Sequence, residues 1–183
     1  MPAIAKTTHE EVVSVTRNLV KRHGADSVSM LSVAEAIGVS GPSLYKRFTD
    51  RAGLLAAVER QVLDDLARAM IRASRTAEDK LNAMAHAYRR FAHAHPRLYA
   101  LLYSGATVGD EEGTAARVKA IQPLMKEFEV RVGAERALVH ARVFTAFLHG
   151  FVSMENAHEF RMGPGVDEAF TLGLQAVIPP VAK

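Results

Sequence analysis

The segment "IGVSGPSLYKRF", Ile37 to Phe48, holds two glycines, two serines and a proline, then an aromatic ring and two adjacent cations. Three chemistries use such a stretch: a catalytic serine elbow, a phosphate loop, and the turn ahead of a DNA-reading helix. A serine elbow needs Gly-x-Ser-x-Gly between a strand and a helix. Here the order is Gly38-Val39-Ser40-Gly41-Pro42, without the final glycine, and the residues before it have helical spacing. A phosphate loop needs Gly-x-x-x-x-Gly-Lys-Ser/Thr after a strand, and neither the spacing nor the strand is present. The third chemistry fits.

Two short helices joined by a tight glycine turn form a helix-turn-helix. The first is expected over Met30–Ile37, capped by Ser29 and stopped at Gly38. The second is expected over 41–48, with Pro42 in the first turn, where a missing N–H costs nothing. Val33, Ala34, Ile37, Val39, Leu44 and Phe48 are spaced to pack the helices together. Gly41, Pro42, Ser43, Tyr45, Lys46 and Arg47 are left outward. Small residues at 41–43 let a backbone approach a duplex closely. Tyr45 can donate to a phosphate, Lys46 and Arg47 can reach base edges or phosphates, and Arg51 suits a phosphate contact.

Outward from this segment the chain reads as helices. Thr8–His23 carries an apolar stripe, with Glu10 and Glu11 in its first turn and Gly24 at its end. Asp50 can cap a long helix over 51–75. Further helices are expected over 77–95, 96–104, 114–132 with a possible kink at Pro123, 134–160 and 166–178. The stretch "GATVGDEEGT" (105–114) reads as a mobile loop. The expectation is an all-α fold of about nine helices. Residues 1–52 would form a three-helix head, and 53–183 a helical bundle.

Composition sets the outer bounds. The 183 residues are 49% hydrophobic, enough for a substantial core, and include no cysteine, which excludes disulfides and thiolate metal sites. The N-terminus lacks a signal-peptide pattern and no apolar stretch approaches the roughly 18 residues of a membrane span, so a cytoplasmic protein without a membrane partner is expected. The net charge of +3 is a mild pointer to an acidic partner. Residues 1–51 carry seven Lys/Arg against five Asp/Glu, so the excess lies weakly toward the head. His93 and His95 fall on different helix faces, and no cofactor or metal is expected.

The stretch "LSVAEAIGVSGPSLYKRFTDRAGLLAAV" (31–58) resembles the DNA-binding segment of the TetR family of transcriptional regulators. Residue by residue, the resemblance makes Gly41, Pro42, Ser43, Tyr45 and Lys46 groove-facing, with Tyr45 on the phosphate backbone. Ser29 stands at the usual capping threonine and Arg51 at the usual lysine. Two positions depart from the pattern: Leu31 replaces a polar or basic residue and Gly53 the commoner alanine. The stretches "HPRLYALLYS" (95–104) and "AFLHGFVSMENAHEF" (146–160) resemble the WHG domain found C-terminally in part of the family. His149, Gly150 and Glu155 are retained, but Leu148 replaces the tryptophan.

A head of about 50 residues leaves 130 to explain. Residues 134–160 are apolar nearly all round, and such a helix must be buried on every side. Phe144, Leu148, Phe151, Val152 and Glu155, with Phe170, Gly173, Leu174 and Val177 of the last helix, are therefore the expected interface of a homodimeric four-helix bundle, which is also the family's arrangement. Twofold symmetry would space two recognition helices one DNA turn, or a small multiple, apart. Met84, Tyr88, Tyr99, Tyr103, Phe128, Phe147 and His149 are candidates for an effector pocket, or equally for ordinary core. His149 has two readings: orienting a ligand or bonding Glu155 across the dimer, or being a satisfied buried histidine. The functional expectation is a ligand-responsive regulator, a repressor released from its operator by a small molecule. The alternative is an all-α enzyme or small-molecule carrier with a vestigial head, using Glu155 with His149, or the Asp110–Glu112 loop.

Overall fold

A computed structural model describes residues 8–105 and 111–180. Among the described residues the secondary structure is helical, with nine α-helices and a 3-10 turn at Ala25–Ser27. The helices are α1 (His9–His23), α2 (Met30–Ile37), α3 (Gly41–Tyr45), α4 (Arg51–Ser74), α5 (Lys80–Ala94), α6 (Pro96–Leu101), α7 (Glu111–Val132), α8 (Ala134–Asn156) and α9 (Val166–Val177).

The chain divides into two compact units. The first comprises Met1–Leu63 and Arg97–Arg117, the second Asp64–Pro96 and Val118–Lys183. At residue 52, where the sequence reading divides head from bundle, α4 continues without a break, and Leu54, Leu55, Val58 and Val62 are buried. A continuous helix offers no linker at which to divide.

In the first unit, local chemistry sets the elements. Thr8 caps α1 through a reciprocal box, Glu11 N donating to Thr8 Oγ1 and Thr8 N to Glu11 Oε2. Ser29 and Ser32 form the same box at α2, with serine where glutamate is usual. Gly38 ends α2 in the left-handed region at φ 79°, where its lack of Cβ avoids strain, and its N–H and that of Val39 return to Ala34 O. α1 packs on α2, and α2 on α3, around Val12, Val20, Val33, Leu44 and Phe48. Arg97 donates to Arg22 O at 2.8 Å, satisfying an orphan carbonyl at the end of α1. Glu59, wholly buried in α4, accepts from Arg117 Nη2, which also reaches Leu102 O.

In the second unit α8 packs on both α5 and α9. Phe128 meets Phe144 edge to face at 5.6 Å, and Phe147 stacks on Phe170 at 5.9 Å. Arg131 ties the end of α7 to Asp79, the cap of α5, and to Pro179 O beyond α9.

Several bounds differ from expectation. α3 ends at Tyr45, with Lys46 and Arg47 in a following turn. α5 starts after the Asp79 cap rather than at Ala77. α7 starts at Glu111, within the expected loop, of which 106–110 lie outside the described residues. α8 stops at Asn156, before His158 turns to a positive φ of 56°. By length and composition alone α8 is long and apolar enough to cross a membrane, with a window of mean hydropathy 1.3. This corrects the reading that no segment reaches that measure. Arg136, Arg142 and His149 interrupt its apolar run without lowering the average enough.

Close approach of α9 to α8 depends on Gly173, where an added Cβ would stand 2.3 Å from the Phe147 ring. Gly173→Ala should cost about 1–3 kcal/mol by overpacking, read as a lower midpoint in thermal unfolding. Adding Phe147→Leu makes room, so the double variant should be more stable than the sum of the single costs.

Candidate functional site

The head carries most of the residues expected to meet DNA on one short segment. Pro42, Tyr45, Lys46 and Arg47 are exposed, and Gly41 and Ser43 half-buried, while Leu44 and Phe48 point into the core. Tyr45 is 57% exposed, high for a ring with a core beside it. Lys46 keeps helical backbone angles (φ −68°, ψ −17°), and Arg47 N and Phe48 N both donate to Leu44 O in the turn that closes α3. The His9 ring stacks on Phe48 at 4.5 Å and braces the segment's end against α1. The result is a firmly packed strip of small residues, a phenol and two cations.

Two expected contacts have other work in the free chain. Ser29 Oγ accepts from Ser32 N as the α2 cap, which leaves its own O–H to donate. Arg51 donates from Nε to Val28 O at 2.7 Å and from Nη2 to Ala25 O at 2.8 Å. It thus ties the start of α4 to the connection between α1 and α2, and Nη1 remains for other acceptors. Leu31, at the position noted as departing from the family pattern, is 65% exposed.

The second unit holds a cleft of about 750 Å3 between the end of α5, the end of α8 and the start of α9. Arg89 is at its centre. Its guanidinium lies 4.5 Å from the centre of the Phe170 ring and is gripped by Glu155, with Nε 2.9 Å from Oε2 and Nη2 2.5 Å from Oε1. Nη2 also pairs with Asp167 at 2.7 Å. His93 Nε2 lies 3.1 Å from Glu155 Oε2, and a carboxylate accepts only, so that nitrogen carries the proton. Glu155, through its hydrogen bonds, holds the Arg89 pKa above its usual value. Burial, with the cations Arg90 and Arg89 nearby, lowers that of His86, and burial lowers that of His149, so both favour the neutral imidazole.

None of the residues expected to line an effector pocket lines this cleft. Met84, Tyr88 and Phe128 are buried in the core of the second unit, and Phe147 and His149 are half-buried there. Tyr99 and Tyr103 belong to the first unit, 5.4 Å apart, with Tyr103 42% exposed. His149 Nδ1 lies 3.3 Å from Ser153 Oγ, whereas the partners of Glu155 are Arg89 and His93. Asp110 lies outside the described residues.

The expected interface residues also divide. Phe144, Leu148, Val152, Phe170 and Leu174 are at most 1% exposed within the single chain, so they are core. Phe151, Glu155, Gly173 and Val177 are half-buried. The reason is the two-sidedness of α8, on which alternation cannot say which face turns inward. Arg89 and Asp167 escaped the sequence reading because their partners are far along the chain. The available signal was a cation next to Tyr88 on the buried stripe of α5.

The chain matches the family model "Bacterial regulatory proteins, tetR family" over residues 12–58, and that of a "Tetracyclin repressor-like, C-terminal domain" over 81–177. It is 34% identical over 155 residues to the uncharacterized HTH-type transcriptional regulator Rv0681 of Mycobacterium tuberculosis, covering 82% of this chain and 71% of that one. Among solved structures, a protein of unknown function from Rhodococcus sp. RHA1 superposes with a TM-score of 0.78 at 25% identity, covering 97% of this chain and 96% of the other. A TetR variant from Acinetobacter baumannii AYE, in complex with minocycline, shares the fold with a TM-score of 0.66 at 22% identity, covering 93% and 94%.

Removing the two Arg51 bonds should destabilise the free protein. Arg51→Ala is expected to cost about 1–2 kcal/mol in thermal melts without DNA, and lysine should not restore it, because an ammonium lacks the planar fork. An unchanged melt would mean that Arg51 serves a bound partner alone.

Proposed function

The chain belongs to the TetR family of bacterial regulatory proteins, and from that membership we propose that it acts as a homodimeric repressor. It grips a twofold-symmetric operator and releases it when a small molecule binds the C-terminal helices. The observation that supports this reading is the outward set Pro42, Tyr45, Lys46 and Arg47, with Gly41 and Ser43 beside them, on a packed helix-turn-helix. Gly41, Pro42 and Ser43 bring the backbone close to the groove. The Tyr45 hydroxyl and the free donor of Ser29 address phosphates, and Lys46 and Arg47 reach base edges or phosphates. Arg51 holds the turn before α2 and offers Nη1 to the backbone. Such a protein works in the cytoplasm, where the DNA is.

The dimer rests on the outward faces of α8 and α9. Val139, Val143, Ala146, Gly150 and Met154 recur every three or four residues, which puts them on one side of α8. All five are exposed. Ala169, Leu172 and Ala176 do the same on α9, with Leu172 66% exposed. The half-buried Phe151, Gly173 and Val177 border this surface, and the buried Phe144, Leu148, Val152, Phe170 and Leu174 back it. A twofold axis through such a surface pairs each patch with itself.

Regulation then requires only that the effector bind more tightly to a dimer whose recognition segments are wrongly spaced. That a family neighbour was solved with minocycline supports a small-molecule effector. α4, whose first half belongs to the head unit and whose second half to the other, is the natural lever.

Selection from a random duplex pool, with winners measured at two salt concentrations, tests the proposal. A twofold-symmetric winner with steep salt dependence is expected. Lys46→Ala should weaken binding, reduce the salt slope by about 1 and leave the melting temperature unchanged. No enrichment by protein unfolded, stripped of small molecules and refolded would contradict it.

A further inference from the structure

The cleft at Arg89 has a property that neither its ion pairs nor the repressor reading uses. The Arg89 side chain is only 14% exposed and that of Glu155 only 9%, so a charged pair has been taken out of water. Its Nε and Nη2 are engaged by Glu155 and Asp167, but Nη1 has no acceptor among the described residues. Nη1 is not among the sealed, unsatisfied atoms of the chain. Arg89 lines the cleft, so the two unused N–H groups open into it.

The Asp167 carboxylate shows what fits there. Its side chain is 92% exposed, yet it rests 2.7 Å from Nη2. A carboxylate entering from the solvent side is therefore already accepted, held by the chain's own residue. Because Asp167 is tethered at the start of α9, it meets Nη2 alone. An untethered carboxylate can take Nη1 and Nη2 together, the bidentate geometry that guanidinium favours.

We propose that this cleft is the effector site, and that the effector is an organic monocarboxylate with an apolar body that displaces Asp167 from Arg89. The assignment rests on the ligand-responsive reading above. Arg89 and Glu155 neutralise each other, so a single negative charge is tolerated once Asp167 swings into water. A dianionic phosphate would leave two uncompensated negative charges beside the same neutralised pair. Phe160 and Val166 supply apolar walls, and His93 and Asn156 polar ones. The volume of about 750 Å3 suits a small molecule. Displacing Asp167 frees the first turn of α9, the helix that carries Leu172 on its outward face, and so links occupancy to the proposed dimer surface.

Isothermal titration of the full chain with benzoate and octanoate, each set against its neutral amide, tests the assignment. At least one carboxylate should bind and its amide should not. Asp167→Ala, a change at an exposed side chain that leaves the Arg89–Glu155 pair intact, should tighten that carboxylate severalfold by removing the competitor. The paired change Arg89→Met with Glu155→Met, which replaces the ion pair by apolar side chains of similar length, should weaken it roughly tenfold or more. If the paired variant does not fold, Asp167→Ala still decides. Carboxylate and amide binding alike would overturn the proposal, as would no binding by either wild type or Asp167→Ala, or binding that leaves operator affinity unchanged. Operator selection uses unliganded protein, so failure of the effector site leaves the DNA reading standing, and the converse also holds.

Discussion

Everything in the second unit is arranged around the two apolar faces of α8. Ala137, Ala141, Phe144, Leu148 and Val152 lie on one side and are buried against the chain's own helices. Val139, Val143, Ala146, Gly150 and Met154 lie on the opposite side and remain open. Only 28% of its most apolar stretch is buried in one chain. Leaving so much apolar surface in water is costly, at about 25 cal/mol for each Å2 that association would bury. In the proposed dimer a second copy covers this face with the same residues, and one dimer then presents two heads. On that proposal the half-site spacing and the response to an effector follow from how the face is covered.

Charge has a different task. Among the described residues each unit contains an ion pair with a buried member: Glu59 with Arg117 in the first, Glu155 with Arg89 in the second. Such pairs contribute little net stability, because desolvation offsets most of their attraction, but losing one partner is severe. Their value is positional. Arg117 fixes the first turns of α7 on α4 and reaches Leu102 O as well. Arg89 joins α5 to the end of α8 and the start of α9 over the Phe170 ring, and so shapes the walls of a cleft. α4 and α7 each contribute residues to both units.

Legibility in the sequence followed the range of the interaction. The caps of Thr8 and Ser29 and the left-handed Gly38 are set within four residues of themselves, and each was readable. So were the head's buried Val33, Ala34, Leu44 and Phe48 and its outward Tyr45, Lys46 and Arg47. Helix ends that depend on distant partners were misplaced: Asp79 caps α5 while also holding Arg131, 52 residues away. The bonds of Arg51 to the carbonyls of Val28 and Ala25, more than 20 residues earlier, leave no local pattern. On α8, apolar residues on two opposite faces left no polar side to mark the outside. The Arg89–Glu155 pair, 66 residues apart, was beyond any local pattern.

The mass of the purified chain in solution addresses the central claim most directly. Sedimentation equilibrium at micromolar concentration should give a particle of twice the 19.9 kDa chain mass, and Val143→Glu, which places a charge in the open face of α8, should halve it without loss of helicity. A wild-type monomer under the same conditions, or a dimer indifferent to Val143→Glu, would contradict the account.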